Sequence, residues 1–203
     1  MQTTKDYIRR SLIEAAEELF YEKGFRGVSM REVAARSGVG LSNIYNYFRS
    51  KDELFRGVVG PALRDFEAML EAHHGQDGTD VTAMCDDGYF EKVVDEYTRF
   101  INCHRRRLAI LLLRSGGSSL MGYRGEFTRH ATKTVKEYFA EMKRRHPELV
   151  TDITETSIRM HTIWIFSMFE EIITHDIGPD DVPKVVGEYI TIEISGWREL
   201  MKI

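Results

Sequence analysis

No apolar stretch in these 203 residues approaches the ~20 that a membrane-spanning helix needs. The N-terminus is polar and has none of the shape of a secretory leader. The chain is therefore expected in the cytoplasm, with no membrane partner. Cysteine is also scarce: Cys85 and Cys103 are the only two, they suggest no disulfide framework, and they read as ordinary reduced thiols. Catalytic signatures are missing. There is no G-x-S-x-G, no H-E-x-x-H and no G-x-G-x-x-G. The glycine-containing run at residues 114–119 lacks both the Gly-Lys-Ser/Thr and the preceding strand of a phosphate-binding loop. Glu71 and His74 make one E-x-x-H where a di-iron bundle requires two on facing helices, and His73, His74, Cys103 and His104 fit no zinc spacing. Neither enzyme chemistry nor a metal or other cofactor is expected. Strand patterning is almost absent too. Residues 189–194 alternate, but no partner strand exists elsewhere, so the chain reads as all-α.

What the sequence does have is a charge asymmetry and one dense block of helix punctuation. The formal charge is −4, yet residues 1–51 hold nine Lys/Arg against six Asp/Glu, and residues 52–203 hold 19 against 26. The positive end contains the punctuation. Ser29 and Glu32 have the S-x-x-E spacing of a capping box, in which each side chain satisfies the other's backbone N–H at a helix start. Gly38 can take the positive φ of a tight inter-helix turn, and Gly40 tolerates the N-cap of the next helix. Residues 41–48 read as that helix, with Ile44 and Phe48 inward beside Val39, and with Leu41, Ser42, Asn43 and Asn46 on the outer face. Ser50 and Glu53 repeat the capping box, and Lys51 adds a full charge to a helix N-terminus suited to phosphate. This is a helix-turn-helix on the basic end of the chain, which predicts DNA binding.

The strings G-F-x-G-V-S-x-R-E-V-A at residues 24–34, S-G-V at 37–39 and I-Y-N-Y-F-x-S-K-D-E-L at 44–54 together resemble the DNA-binding region of the tetracycline-repressor-like (TetR/AcrR) bacterial regulators. The resemblance covers about the first quarter of the chain. It departs from that family's commonest pattern at Gly40, where Ser or Thr is usual, and at Leu41, where Lys is usual. It implies an N-terminal DNA-binding domain over residues 1–50 and a helical effector-binding and dimerisation domain over 51–203. It further implies a homodimer on a palindromic double-stranded operator, and repression relieved by an apolar or amphipathic small molecule. Carried onto matched positions, the DNA-facing set is Ser29, Arg31, Gly40, Leu41, Ser42, Asn43, Tyr45, Asn46, Tyr47 and Lys51. Ser29, Tyr47 and Lys51 are expected on phosphates, Asn43 and Asn46 on base edges. A DNA-bound protein controlled by a protein partner, with no ligand, stays open.

Hydrophobic periodicity divides the remainder. A first helix spans residues 5–23 and ends at Gly24; the helix opened at Ser50 should kink at Pro61; residues 73–88 read as loop. Helices follow at about 89–103, 105–113, 123–145, 152–175 and from 181 to about 201. The helix at 152–175 is apolar on two faces, so it must be covered twice, and with the last helix it is expected to form a two-fold interface that includes Trp197. Phe66, Tyr97, Phe100, Phe127, Trp164 and Met168, with Arg114 and His161 as orienting polar groups, have the composition of an apolar pocket and form the candidate effector site.

Overall fold

The computed structural model describes residues 2–203, with side chains from residue 5 onward. It is all-helical, with eight α-helices among the described residues: α1 (Gln2–Gly27), α2 (Met30–Ser37), α3 (Leu41–Ile44), α4 (Lys51–His74), α5 (Tyr89–Leu113), α6 (Tyr123–Arg145), α7 (Glu155–Thr174) and α8 (Val182–Met201). The alternating segment at residues 189–194 lies inside α8, since a strand without a partner leaves its backbone N–H and C=O groups unsatisfied.

Two compact units result. One comprises residues 1–64 with 104–123, the other residues 65–103 with 124–203. The division differs from a boundary at residue 50, because α4 and α5 each belong partly to one unit and partly to the other. Helix α5 is also longer than its expected pieces. Nothing at Asn102, Cys103 or His104 stops a helix, and residues 89–113 run on without interruption. The residues read as a separate apolar helix, Leu108, Ala109, Ile110 and Leu111, are its buried end. Helix α4 likewise passes through Pro61 as one element and ends at His74; part of the expected loop beyond it winds into a 3-10 turn, Val81–Cys85.

In the first unit, Leu12, Ala16, Leu19 and Phe20 form the buried stripe of α1. Phe20 and Phe25 both meet Phe55 of α4 edge-on, at 5.1 and 5.2 Å between ring centroids. Gly24 breaks α1 as expected, at φ 67° and ψ 170°, a conformation essentially reserved for glycine. The break turns the Phe25 N–H toward the Arg114 carbonyl, which accepts it at 2.9 Å. Gly24→Ala is expected to lower stability by about 1–3 kcal/mol, because a Cβ there adds strain and sits 3.4 Å from that same carbonyl oxygen. Thermal unfolding of the variant measures this, and an unchanged midpoint would contradict the strain.

In the second unit, Phe66 stacks on Phe127 at 4.4 Å and on Phe100 at 5.4 Å, with Phe166 and Phe169 edge-on to it. A second cluster joins Val135, Tyr138, Phe139 and Met142 of α6 to Ile158 of α7 and Met201 of α8.

Candidate nucleic-acid interface

The capping box that opens α2 forms in full: Ser29 Oγ accepts the Glu32 N–H at 3.2 Å, and the Glu32 carboxylate accepts the Ser29 N–H at 2.8 Å. Lys23 donates to the other carboxylate oxygen at 2.8 Å. Its hydrogen bond, with those from the Ser29 side chain and backbone, holds the Glu32 carboxyl down at about 2. Gly38 closes α2 at φ 70°, in the left-handed region.

The reading helix is shorter than expected. Regular α geometry covers only residues 41–44, and the chain tightens there: the Asn46 N–H bonds to the Asn43 carbonyl at 3.1 Å and the Tyr47 N–H to that of Ile44 at 2.9 Å. Two causes are visible. Gly40 supplies no side-chain cap, and a new helix begins at Lys51, so residues 45–50 must turn. Inward anchoring holds nonetheless, since Ile44 is fully buried and Phe48 is 2% exposed.

Around these anchors Arg31, Gly40, Ser42, Tyr45 and Asn46 are exposed, and Leu41, Asn43 and Tyr47 are half-buried. The Asn46 amide donates to the Asn43 side-chain oxygen at 3.0 Å. The two residues read as base contacts therefore form one amide surface with fixed relative orientation. The second capping box is offset by one residue. Ser50 Oγ accepts the Glu53 N–H at 3.0 Å, but the Glu53 carboxylate reaches back to the Arg49 N–H, at 2.6 Å, rather than to Ser50.

Lys51 has an internal task that spacing could not reveal. Its Nζ donates to the carbonyls of Phe25 and Val28, each at 2.8 Å, and lies 4.4 Å from the Phe25 ring centroid. It thereby adds a donor to carbonyls at and just beyond the end of α1, where the Phe25 carbonyl otherwise accepts the long 3.5 Å bond from the Val28 N–H. Two of its three donors are engaged, leaving one for a phosphate. Asp52 was also invisible as a contact from sequence. Its carboxylate accepts the N–H and the hydroxyl of Ser119, both at 2.7 Å, which ties the loop after α5 to the first turn of α4.

Charge follows the two units more sharply than it follows sequence position. The unit with the helix-turn-helix carries 15 Lys/Arg against 8 Asp/Glu, a net +7, and the other carries 13 against 24, a net −11.

The residues expected to line an effector pocket are only partly assembled. Phe66, Phe100 and Phe127 stack together, Tyr97 lies 6.4 Å from Phe169, and Met168 is buried. Two small cavities adjoin them, of about 30 and 50 Å³, and both are lined by His73, His74, Val135 and His161. His161 Nδ1 bonds to the Glu193 carboxylate, and the Trp197 indole donates to that carboxylate at 3.1 Å. Two expected members lie elsewhere. Arg114 belongs to the first unit, where its guanidinium sits 5.7 Å from the Tyr21 ring. Trp164 is 51% exposed, because the face of α7 it shares with Met160 turns outward.

A capped helix, a left-handed glycine turn and a short second helix with a polar outer face, all on a strongly basic unit, define a helix-turn-helix DNA-binding head. Residues 12–58 match the sequence profile of the bacterial regulatory proteins, tetR family. That match places the helix-turn-helix head, residues 12–58, with the DNA-binding region of that family. The chain is 30% identical over 141 residues to an HTH-type transcriptional regulator of Haemophilus influenzae, across 68% of this chain and 62% of the relative. It is 36% identical over 59 residues to the HTH-type regulator YfiR of Bacillus subtilis, across 29% of each chain. The matches thus span less than two thirds of these relatives' own lengths. Among solved structures, the fold resembles the transcriptional regulator FadR from Bacillus subtilis in complex with stearoyl-CoA, with a TM-score of 0.61 and 17% identity over 92% of this chain and 98% of that one.

Proposed function

We propose that this protein is a homodimeric, cytoplasmic transcriptional repressor that reads a palindromic operator and is released from it by an apolar or amphipathic small molecule. The observation that carries the DNA-binding part is the Asn43–Asn46 amide surface, held outward by buried Ile44 and Phe48 on the unit of net +7. Asparagine amides match the donor and acceptor edge of adenine in the major groove. Ser29, Arg31, Ser42, Tyr45 and Tyr47 surround this surface, and the start of α4, where Ser50 Oγ takes only the Glu53 N–H, supplies an anion site beside Lys51.

The test is selection of an operator from random duplexes, followed by single substitutions. Asn43→Ala and Asn46→Ala are each expected to lose about 1–3 kcal/mol of discrimination between the selected operator and its variants. Lys51→Ala is expected to weaken all sequences together and to lower the salt slope by about one unit. It should also lower the melting temperature, since it removes the Lys51 hydrogen bonds to the Phe25 and Val28 carbonyls. A salt slope unchanged in a folded Lys51→Ala protein removes Lys51 from the phosphate set.

For the effector, the supporting features are the aromatic cluster of Phe66, Phe100 and Phe127 and the two cavities at His74 and His161. Drug-sized ligands need roughly 300–1,000 Å³, so the ligand must part side chains that are now in contact. Two helices, α4 and α5, contribute to both units and are the available carriers of that change toward the DNA head. FadR, which holds stearoyl-CoA, is a precedent for such a ligand within this fold. The tight packing of the aromatic cluster favours the second reading, control by a protein partner. Raised melting temperatures in a screen of apolar compounds decide for the first.

A further inference from the structure

The second unit is strongly acidic overall, yet an open cleft of about 790 Å³ between α6 and α7 is lined by five cations, Arg124, Arg129, Lys133, Lys136 and Arg159. Two acids, Glu137 and Glu155, line it as well. The five cations are not equivalent. Arg124 is fixed into the wall by Glu170, at 2.9 and 3.0 Å, and by the Ile163 carbonyl at 3.4 Å. Lys136 pairs with Glu155 at 3.0 Å, and Lys133 approaches Glu137 only to 3.8 Å. Arg129 on α6 and Arg159 on α7 have no ion pair among the described residues. The floor offers no competing donors, because the buried Thr128 and Thr132 hydroxyls donate back to the carbonyls of Arg124 and Thr128, at 2.7 and 2.6 Å.

We propose that this groove binds a small ligand carrying two or more phosphate-type negative charges. In a unit of net −11, cations gathered along one concave surface create a local positive potential that like-charge repulsion would otherwise disperse. Guanidinium forks match phosphate oxygens in bidentate geometry. The two unpaired forks come from different helices, so a singly charged anion answers one and leaves the other bare. The volume falls within the roughly 300–1,000 Å³ of small-molecule sites, and Ile163 gives an uncharged portion of the ligand an apolar wall. The groove shares no lining residue with the cavities at His74, and the inference does not rest on the regulatory reading above.

The test uses the full chain with inorganic pyrophosphate as probe and orthophosphate as the lesser-charged control, by titration calorimetry at matched ionic strength. Pyrophosphate is expected to bind at least about tenfold more tightly than orthophosphate, and the double variant Arg129→Gln with Arg159→Gln to lose about tenfold or more of that affinity. Both side chains are exposed, so circular dichroism and melting should be unchanged. Equal pyrophosphate binding by wild type and double variant, or none by either, overturns the proposal. Two further outcomes overturn it by reassigning the groove: a weaker dimer in the double variant by sedimentation means a second copy fills it, and a loss of DNA affinity without added pyrophosphate makes it a nucleic-acid surface.

Discussion

On the proposed dimer, a Trp164→Asp variant is expected to sediment as a folded monomer at concentrations where the wild-type chain is expected to pair, and to lose most of its affinity for a full palindromic operator. Met160, Ile163 and Trp164 on α7 are 53, 37 and 51% exposed, and Ile192 and Leu200 on α8 are 59 and 50% exposed. Positions 160, 163 and 164 share one helix face, as do 192, 196 and 200, where Gly196 adds no bulk and no atom lies near its Cβ direction. Met160, Trp164, Ile192 and Leu200 line one shallow groove of about 330 Å³ together with Trp197. Contiguous exposed apolar surface of this kind marks an interaction site, and a two-fold axis presents each residue to the interface twice. A buried tryptophan anchor contributes about 2 kcal/mol or more. Its loss from both protomers therefore weakens the dimer by about 4 kcal/mol, roughly a thousandfold, before the two desolvated carboxylates add their own penalty. Operator binding falls because two reading heads joined in one dimer bind successive half-sites far better than either alone. A Trp164→Asp protein that stays dimeric at low micromolar concentration would falsify this interface.

The same two helices mark where sequence patterning stops. Trp197, expected at the two-fold interface, shares one face of α8 with Ile190, Ile194 and Met201, yet Ile190 and Met201 are 4 and 1% exposed, and the Trp197 ring packs on Phe139 at 5.7 Å. Both faces of α8 are apolar, and a period of 3.6 cannot say which of two apolar faces is inside. In the helix-turn-helix the informative interactions are local. Ser29 with Glu32, Gly38, and Ile44 with Phe48 each act within a turn or two, so the element could be read directly. What could not be read there depends on distant chain: Lys51 on the Phe25 and Val28 carbonyls, and Asp52 on Ser119. Arg114 was misplaced for the same reason, since residue type suggests a polar orienting group and only the fold assigns it to the unit with Tyr21. The break placed near residue 104 in α5 mistook a change of surroundings for a change of element, as His104 and Leu108 are both buried within one continuous helix.

Acidification from pH 7.5 to pH 5 is expected to destabilise the fold by about 2 kcal/mol through His74 alone. Burial, followed by the neighbouring His161 and His73 imidazoles, holds the His74 ring down at about 3. Its Nδ1 has no hydrogen-bond partner among the described residues, and the Tyr138 ring stands edge-on to it at 5.3 Å. The carboxylates that bond the neighbouring histidines are already engaged. Glu96 is bonded to His73 at 2.8 Å, Glu193 to His161, and Asp80 to His146 at 2.9 Å. The folded pKa lies below the unfolded value near 6.5, so between about pH 6.5 and pH 3 the unfolded chain binds one proton more than the folded chain. Stability is thus fully present above pH 6.5 and declines as pH falls, at a limiting slope of about 1.4 kcal/mol per unit. Denaturant unfolding across this range, compared between wild type and His74→Phe, isolates the contribution, because the other titrating groups are common to both proteins. The variant's curve should be flatter by up to one proton; parallel curves would mean that His74 already has a protonated or solvated route in the folded state.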